Sequence, residues 1–244
     1  MKTAVITGAS GGIGYALTKA FIKNGYFVIA QYNRGEKQIE CLKEELKKDN
    51  LLDYLFAISC NLKGKDGTNK LVSTLKKSFN KIDVLINNAG IDLYKLIEET
   101  TDSELDDIVE INFKSAFNIT KNLVPLLRKS QNASIINVSS CWGTNGASME
   151  SAYSATKSAL IGLTKALAKE LAPIIRVNCI TPGVIDTPMN ACFTESEMQD
   201  IISKVPLGRI GKPLEVATLC EFLASENAKY ITGAIIPIDG GYSL

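Results

Sequence analysis

Continuous apolar runs alternate with amphipathic stretches along the whole of the 244-residue chain. Runs without polar alternation are typical of parallel strands that are covered on both faces. They predict seven strands, at residues 3–6, 27–31, 54–59, 84–87, 134–138, 176–180 and 234–238. Stretches with helical periodicity predict helices at residues 13–24, 36–48, 65–79, 101–128, 151–171 and 213–224.

Strands that alternate with helices in this way predict an α/β fold with one doubly wound parallel sheet and helices on both faces. No linker, repeat or low-complexity segment divides the chain, so we expect a single domain over residues 1–244. Pro125 is expected to kink the helix at 101–128 near its end. The polar stretch at 186–207 is long for a connection, and we expect it to form a lid or a pocket wall that holds one short helix.

Charge and hydropathy narrow the classes of function. The chain has 27 Lys and Arg against 26 Asp and Glu, and this balance argues against a nucleic-acid partner or a basic membrane-surface protein. No apolar run reaches the roughly 18 residues that a membrane span needs. The apolar residues 4–6 are too few for a signal-peptide core, so we expect a cytoplasmic protein.

The absence of histidine removes several kinds of chemistry. It excludes Ser-His and Cys-His nucleophile pairs, histidine general bases and histidine-ligated zinc. The six cysteines include no C-x-x-C pair, so a thiolate zinc site and thioredoxin-type chemistry are not indicated. We therefore expect no metal site, and cysteines that are reduced and half-buried.

A glycine-rich segment joins the first predicted strand to the first helix. Its sequence, Thr7-Gly8-Ala9-Ser10-Gly11-Gly12-Ile13-Gly14, has the spacing T-G-x-x-x-G-x-G. Glycines let the backbone approach a pyrophosphate, and the following helix supplies free N–H groups and the positive end of its dipole. A structural turn also uses glycines, but the position after the first strand favours a dinucleotide.

Tyr153 and Lys157 lie four residues apart on a predicted helix and therefore share one face. A nearby ammonium favours the tyrosinate, so we expect Lys157 to lower the pKa of Tyr153 and make it a proton donor near neutral pH. The alternative is a core tyrosine beside a lysine with a buried stem. Ser140 ends the preceding strand, next to the less favoured Ser139, and its hydroxyl is placed to bond a developing oxyanion.

Together these motifs resemble the short-chain dehydrogenase/reductase family over the whole chain. The resemblance also rests on Asn87-Asn88-Ala89-Gly90, Asn112, Asn178, Pro182-Gly183, Thr187 and the segment from Gly233 to Gly241. It implies a Rossmann-type oxidoreductase with catalytic residues Asn112, Ser140, Tyr153 and Lys157, where Asn112 holds a water in a proton relay through Lys157. It further implies a mainly cofactor-binding half at 1–90 and a catalytic and substrate half at 91–244.

The family's cofactor is a nicotinamide dinucleotide, and this chain is expected to prefer NADPH over NADH. Relatives that prefer NAD usually carry an acid where this chain has Gln31-Tyr32-Asn33-Arg34, and Arg34 can pair with a 2′-phosphate. The chain departs from the family's pattern at two positions. Gly11 stands where many NADP-preferring relatives carry Arg. Asn61 stands in place of an Asp that contacts the adenine, and Leu62 next to it is expected to flank the adenine ring. The residues expected to bind cofactor are Gly8, Ser10, Gly11, Gly12, Ile13, Gly14, Asn33, Arg34, Asn61, Leu62, Asn87, Ala89, Gly90, Tyr153, Lys157, Pro182, Gly183, Ile185 and Thr187.

Two substrate groups are consistent with the sequence. The length and the ending resemble bacterial 3-oxoacyl-acyl-carrier-protein reductases. The run from Ser140 to Glu150 resembles instead a Gram-positive group that reduces a 5-aminopentanone modification on elongation factor P. We expect a small-molecule or carrier-borne ketone, with a pocket formed by Cys141, Trp142, Met149, Glu150 and Met189.

Individual pocket residues have two interpretations each. Glu150 either receives a substrate ammonium or is a solvent-facing loop acid. Trp142, the single tryptophan, either walls the pocket or packs against the fold.

The sequence alone leaves two other classes of protein as alternatives to a ketone reductase. A sensor or scaffold on this fold would bind cofactor without turnover, and the complete catalytic set argues against it. Epimerases and dehydratases that use the same tyrosine usually have longer chains. The helices at 101–128 and 151–171 carry apolar residues on more than one face, and with the family resemblance this predicts a homotetramer, with a dimer as the alternative.

Overall fold

A computed structural model of the chain contains one sheet of seven strands, all of them paired in parallel. The structure describes residues 1–190 and 193–244 in full. The spatial order of the strands is β3-β2-β1-β4-β5-β6-β7, so the chain reverses direction across the sheet between β1 and β4. The strands are β1 (Lys2–Ile6), β2 (Tyr26–Tyr32), β3 (Leu55–Ser59), β4 (Val84–Asn87), β5 (Ala133–Val138), β6 (Ile175–Pro182) and β7 (Ile235–Ile238).

Helices cover both faces of this sheet. Successive residues of a strand point to opposite faces, and in β4 Val84 and Ile86 pack into one apolar core while Leu85 packs into the other. The predicted doubly wound sheet with seven strands is therefore confirmed. The helices are α1 (Gly12–Lys23), α2 (Glu36–Lys48), α3 (Gly64–Ser78), α4 (Asp102–Val109), α5 (Ser115–Leu127), α6 (Trp142–Asn145), α7 (Ser151–Glu170), α8 (Glu195–Ser203) and α9 (Pro213–Ala224).

The predicted helix at 101–128 is present, and it differs from the expectation by one π-helical turn in its middle. It begins with the expected capping box between Thr101 and Glu104, but a π-helical turn at Glu110–Lys114 separates α4 from α5. Asn112 lies in this turn and is fully buried. An asparagine is a poor helix former because its side chain seeks other backbone groups. The irregular turn therefore contains Asn112, and Pro125 lies inside α5, which continues to Leu127.

Smaller elements also differ from the predictions. The four-residue α6 was not predicted, since it lies in a glycine-containing loop with little apolar periodicity. The short helix expected in the polar stretch at 186–207 is α8. Five described cysteines are free, whereas Cys192 lies outside the described residues.

Two kinds of feature are missing from the described part of the chain. None of its helices combines the length with the apolar character that crossing a bilayer requires. It also contains no group of three or more Cys, Asp or Glu side chains placed to hold a metal ion.

Candidate active site

The glycine loop follows β1 at the point where the strand order reverses, which is where ligands bind in open α/β sheets. Its packing leaves no room for side chains. A Cβ added to Gly14 would lie 2.1 Å from the main-chain oxygen of Gly8, and one added to Gly8, which has a φ of 68°, would lie 2.9 Å from Ala89 Cα. The bare backbone at the N-terminus of α1 therefore fits a pyrophosphate.

Three polar side chains that the sequence reasoning did not select hold this loop. The Thr7 hydroxyl accepts hydrogen bonds from the main-chain N–H groups of Asn88 and Ala89, both at 3.0 Å. The Asn88 side chain donates to the main-chain oxygens of Thr7 and Gly8 at 2.9 and 3.2 Å. Gln31 accepts from the Gly8 N–H at 3.0 Å and donates to the Cys60 oxygen at 2.7 Å. Thr7 and Asn88 stand in the quoted motifs, whereas the signal for Gln31 was a polar residue at the end of an apolar run.

The residues expected near the adenosine lie at the ends of β2 and β3. Asn33, Arg34 and Asn61 are exposed, and the Ser10 hydroxyl donates to the main-chain oxygen of Arg34 at 2.7 Å. Leu62 is buried in the core, so its side chain is not placed to flank a ring as expected.

The Asn87 side chain also points into the interior, where it donates to Thr120 and to Asn137. A buried amide in a strand seeks internal partners because it has no water to bond. The Asn87 side chain is therefore not placed to contact a cofactor as expected.

Thr187 packs against Gly12 of the glycine loop. A Cβ added to Gly12 would lie 2.6 Å from Thr187 Cγ2. Ile185 is buried and pairs with Gly211. Gly183 follows Pro182 at the end of β6, and its N–H bonds the Ile238 oxygen at 3.1 Å. The remaining predicted residues, Gly11, Ile13 and Gly90, belong to the glycine loop, to α1 and to the end of β4.

A cavity lies at the carboxyl ends of β5 and β6, and four of the five predicted pocket residues line it. Met149 does not, and its main-chain oxygen instead accepts a hydrogen bond from the Lys95 N–H at 2.7 Å. The stretch at 186–207 forms one wall of the cavity. The lining residues are Asp92, Ser140, Cys141, Trp142, Glu150, Tyr153, Gly183, Val184, Met189, Asn190, Phe193 and Ile201.

Tyr153 and Ser140 both line this cavity, and the Ser140 side chain is close enough to Tyr153 to affect its pKa. Lys157 is buried one turn further along α7, with its Nζ 5.5 Å from the centre of the Tyr153 ring. The Nζ donates to the Val138 oxygen at 3.0 Å. Ser139 has a different role, since its hydroxyl donates to the Lys157 main-chain oxygen at 2.8 Å. The two adjacent serines are therefore separated in space.

Burial dominates the acid–base properties of this pair. Loss of hydration raises the pKa of Tyr153, against the hydrogen bond from Ser140, which lowers it. Loss of hydration also lowers the pKa of Lys157 to about 8. The expected lowering of the Tyr153 pKa is thus reversed, because desolvation raises this pKa and the charges of Asp92 and Glu150 raise it further. Tyr153 consequently keeps its proton through the neutral range.

Asn112 lies next to this pair but is held by other groups. Its Oδ1 accepts from the Ile91 N–H at 2.8 Å, and its Nδ2 donates to the Ile91 oxygen at 2.9 Å and to the Thr156 hydroxyl at 3.1 Å. A Cβ added to Gly90 would lie 3.3 Å from Lys157 Nζ and 3.4 Å from Asn112 Oδ1. Gly90 therefore lets both side chains reach the end of β4.

Two carboxylates face the cavity, and the sequence reasoning selected only one of them. Glu150 is 7% exposed, so its interpretation as a solvent-facing acid is wrong. Burial raises its pKa to about 7, with a further contribution from the charge of Asp92. Burial likewise raises the pKa of Asp92. Trp142 both lines the cavity and packs on Tyr242, with ring centres 5.2 Å apart, so both of its interpretations hold.

The fold and this site define an oxidoreductase of the nucleotide-binding α/β type. A family model described as enoyl-(acyl carrier protein) reductase matches residues 8–243. The chain is similar over its length to a solved short-chain dehydrogenase/reductase of the glucose/ribitol dehydrogenase type from Brucella melitensis. The TM-score is 0.92 and the identity 32%, with 100% of this chain and 97% of the other covered.

The chain belongs to the short-chain dehydrogenase/reductase family, and it is an NAD(P)-dependent oxidoreductase acting on a carbonyl or alcohol. It is 40% identical to the 3-oxoacyl-[acyl-carrier-protein] reductase FabG of Thermotoga maritima, over 98% of this chain and 97% of that one. It is 37% identical to the uncharacterized oxidoreductase YmfI of Bacillus subtilis, over 99% and 98%. It is 35% identical to FabG of Staphylococcus aureus strain N315, over 98% and 97%.

Gly14→Ala is expected to weaken dinucleotide binding by about 10-fold or more. The added methyl would overlap the Gly8 main-chain oxygen, and overpacking of this kind costs about 1–3 kcal/mol. The dissociation constant of NADPH would be measured by fluorescence titration. Gly162→Ala is the matched control, because a Cβ there meets nothing within 4 Å. Equal affinity in the Gly14→Ala variant would contradict the placement of the pyrophosphate.

Glu150→Gln is expected to change how stability depends on pH. The folded-state pKa of Glu150, about 7, lies above its ordinary value of 4.5. Between these values the folded protein binds more protons than the unfolded chain, so the contribution of Glu150 to stability falls as pH rises. Relative to Glu150→Gln, the wild type should lose up to about 3 kcal/mol of unfolding free energy between pH 4.5 and 7.

Urea denaturation at several pH values measures this difference. Glu104→Gln is the control, because hydrogen bonds from Lys95 and Thr101 lower the pKa of Glu104 to about 2, outside this window. A wild type and a Glu150→Gln variant with parallel pH profiles would show that Glu150 is not desolvated as the structure indicates.

Proposed function

We propose that this protein reduces a ketone to a secondary alcohol with NADPH, as a 3-oxoacyl-acyl-carrier-protein reductase does. The observation that supports this most directly is that Tyr153 and Ser140 line the same cavity, with Lys157 buried behind the Tyr153 ring. Two hydroxyl donors that converge on one point suit a carbonyl oxygen that gains negative charge in the transition state.

The cofactor, when bound, supplies the hydride that adds to the carbonyl carbon. Ser140 donates a hydrogen bond to the carbonyl oxygen, and Tyr153 transfers its proton to the same oxygen, so that one hydride and one proton complete the alcohol. Lys157 is placed to bond the ribose hydroxyls and to share its charge with the tyrosinate that forms. Asn112 is assigned the water that relays a proton back through Lys157.

The preference for NADPH is supported by the end of β2. The stretch from Gln31 to Arg34 carries no carboxylate that would repel a 2′-phosphate, and Arg34 is exposed there. The Ser10 hydroxyl, which bonds the Arg34 oxygen, lies on the same side of the loop. A guanidinium and a hydroxyl together suit a phosphate group.

The proposal includes a cytoplasmic homotetramer. Leu105 on α4 and Phe117 on α5 are each 44% exposed, and apolar side chains of this size on neighbouring helices support a subunit interface. The five free cysteines that the structure describes suit a reducing compartment.

Tyr153→Phe is expected to lower the reduction rate by about 100-fold or more, because it removes the proton donor while keeping the ring. NADPH oxidation with acetoacetyl-CoA would be followed at 340 nm, with NADH as the test of cofactor preference. The dissociation constant of NADPH should stay within about threefold of the wild type. A variant that retains most of the rate would overturn the assignment of Tyr153, and faster turnover with NADH would overturn the NADPH preference.

We propose as a second candidate the reduction of a ketone that carries an ammonium group, as in the 5-aminopentanone reductases of elongation factor P. It is favoured by the two carboxylates, Asp92 and Glu150, that line the cavity with Trp142 and Phe193. In the part of the chain that the structure describes, no lysine or arginine lines this cavity. Carboxylates and aromatic faces both attract a cation.

Two ketones of the same shape separate the two candidates. One is 5-(dimethylamino)pentan-2-one, which is cationic and cannot cyclise, and the other is its neutral analogue 6-methylheptan-2-one. If the second candidate is right, kcat/KM favours the cationic ketone by about 10-fold or more, and Glu150→Gln removes most of this preference. Glu98→Gln, an exposed acid that does not line the cavity, serves as control. Equal kcat/KM values would leave the acyl ketone as the substrate class.

A further inference from the structure

We propose that Thr156 is a positioning residue that holds Tyr153 in place through a directed chain of hydrogen bonds from Asn112. This inference rests on the proposed role of Tyr153 as proton donor. Thr156 does not line the cavity and is 4% exposed, so it has no direct contact with a substrate. Its effect must pass through the groups that it bonds.

The Thr156 hydroxyl bonds two groups on different parts of the site. It donates to the Tyr153 main-chain oxygen at 2.8 Å, and it accepts from Asn112 Nδ2 at 3.1 Å. An amide N–H can only donate, so the single proton of the hydroxyl is free to go to Tyr153. The direction of the chain, from Asn112 through Thr156 to Tyr153, is therefore determined by chemistry.

Asn112, at the other end of this series of hydrogen bonds, is itself held by two hydrogen bonds. Asn112 bonds both the N–H and the oxygen of Ile91, at 2.8 and 2.9 Å, and is fully buried. The π-helical turn at Glu110–Lys114 brings Asn112 to this position. Ile91 precedes Asp92, which lines the cavity. Thr156 thus links α7 to the loop that forms the opposite side of the site.

Tyr153 needs such a link because it lies in the first turn of α7. Helix ends fray unless their free backbone groups are capped. The residue before this helix, Glu150, makes no side-chain cap. The bond from Thr156 does not cap these free N–H groups, but it ties the main chain of Tyr153 in the first turn of α7 to Thr156 and, through Asn112, to Ile91.

The same helix contains a matched hydroxyl away from the site. Thr164 donates to the Leu160 oxygen at 2.8 Å and accepts from Asn137 Nδ2 at 2.8 Å. It is fully buried, and neither of its partners lines the cavity. Thr164→Val and Thr156→Val therefore remove the same chemistry at two positions of α7, and only one of these positions is bonded to the proton donor.

Steady-state reduction of acetoacetyl-CoA with NADPH is the first test. Thr156→Val should lower kcat by about 10-fold with KM for both substrates within about twofold, and Thr156→Ser should restore at least half of the wild-type kcat. Thr164→Val should lower Tm as Thr156→Val does but keep kcat within about twofold. A Thr156→Val kcat near the wild type, an equal loss in Thr164→Val, or no recovery with Ser would each overturn the proposal.

Hydrogen–deuterium exchange of the peptide spanning residues 150–157 is the second test and needs no turnover. This peptide should exchange several-fold faster in Thr156→Val than in the wild type or in Thr164→Val. If the wild type does not reduce acetoacetyl-CoA, the proposed function fails while the exchange result still decides the role of Thr156. Unchanged exchange would overturn that role. Should Thr156→Val not fold, Thr156→Ala removes the same hydroxyl with the same expected outcomes.

Discussion

The parallel pairing of β1, β4, β5 and β6 is the constraint on which the rest of the site depends. In a parallel sheet the carboxyl ends of all strands lie along one edge. That edge therefore collects the glycine loop after β1, Gly90 after β4, Ser140 after β5 and Gly183 after β6. Groups more than a hundred residues apart meet because the strand register places them at the same height.

Loss of hydration then determines the chemistry that these groups can perform. Burial raises the pKa of Tyr153 and of Glu150, and it lowers the pKa of Lys157. A tyrosine that stays protonated is suited to give a proton, and a lysine near the end of its protonated range is suited to pass one on. Glu150 and Asp92 line the same cavity, and a cationic ligand there would favour the ionised form of both carboxylates.

Much of the fold could be predicted because its signals are local. Apolar runs such as Val84–Asn87 are buried over their whole length, so their composition alone indicated strands with two covered faces. The π-helical turn at Asn112 was not predicted, since this side chain bonds Ile91, a partner 21 residues away. The sequence also left two positions open for Glu150, in the pocket or facing solvent, for the same reason. Burial depends on neighbours from other elements, and a single carboxylate in a loop carries no sign of them.

The sequence by itself determined the class of fold, the glycine loop and the spacing of Tyr153 and Lys157, because strand composition, glycine geometry and helical periodicity are properties of short segments. Only the tertiary structure decided which serine meets Tyr153, that Asp92 joins Glu150 in the cavity, and that Thr156 connects Asn112 to the backbone of Tyr153. These are contacts between elements that are distant in the chain. They depend on how the sheet and helices pack, and packing is set by the whole chain at once.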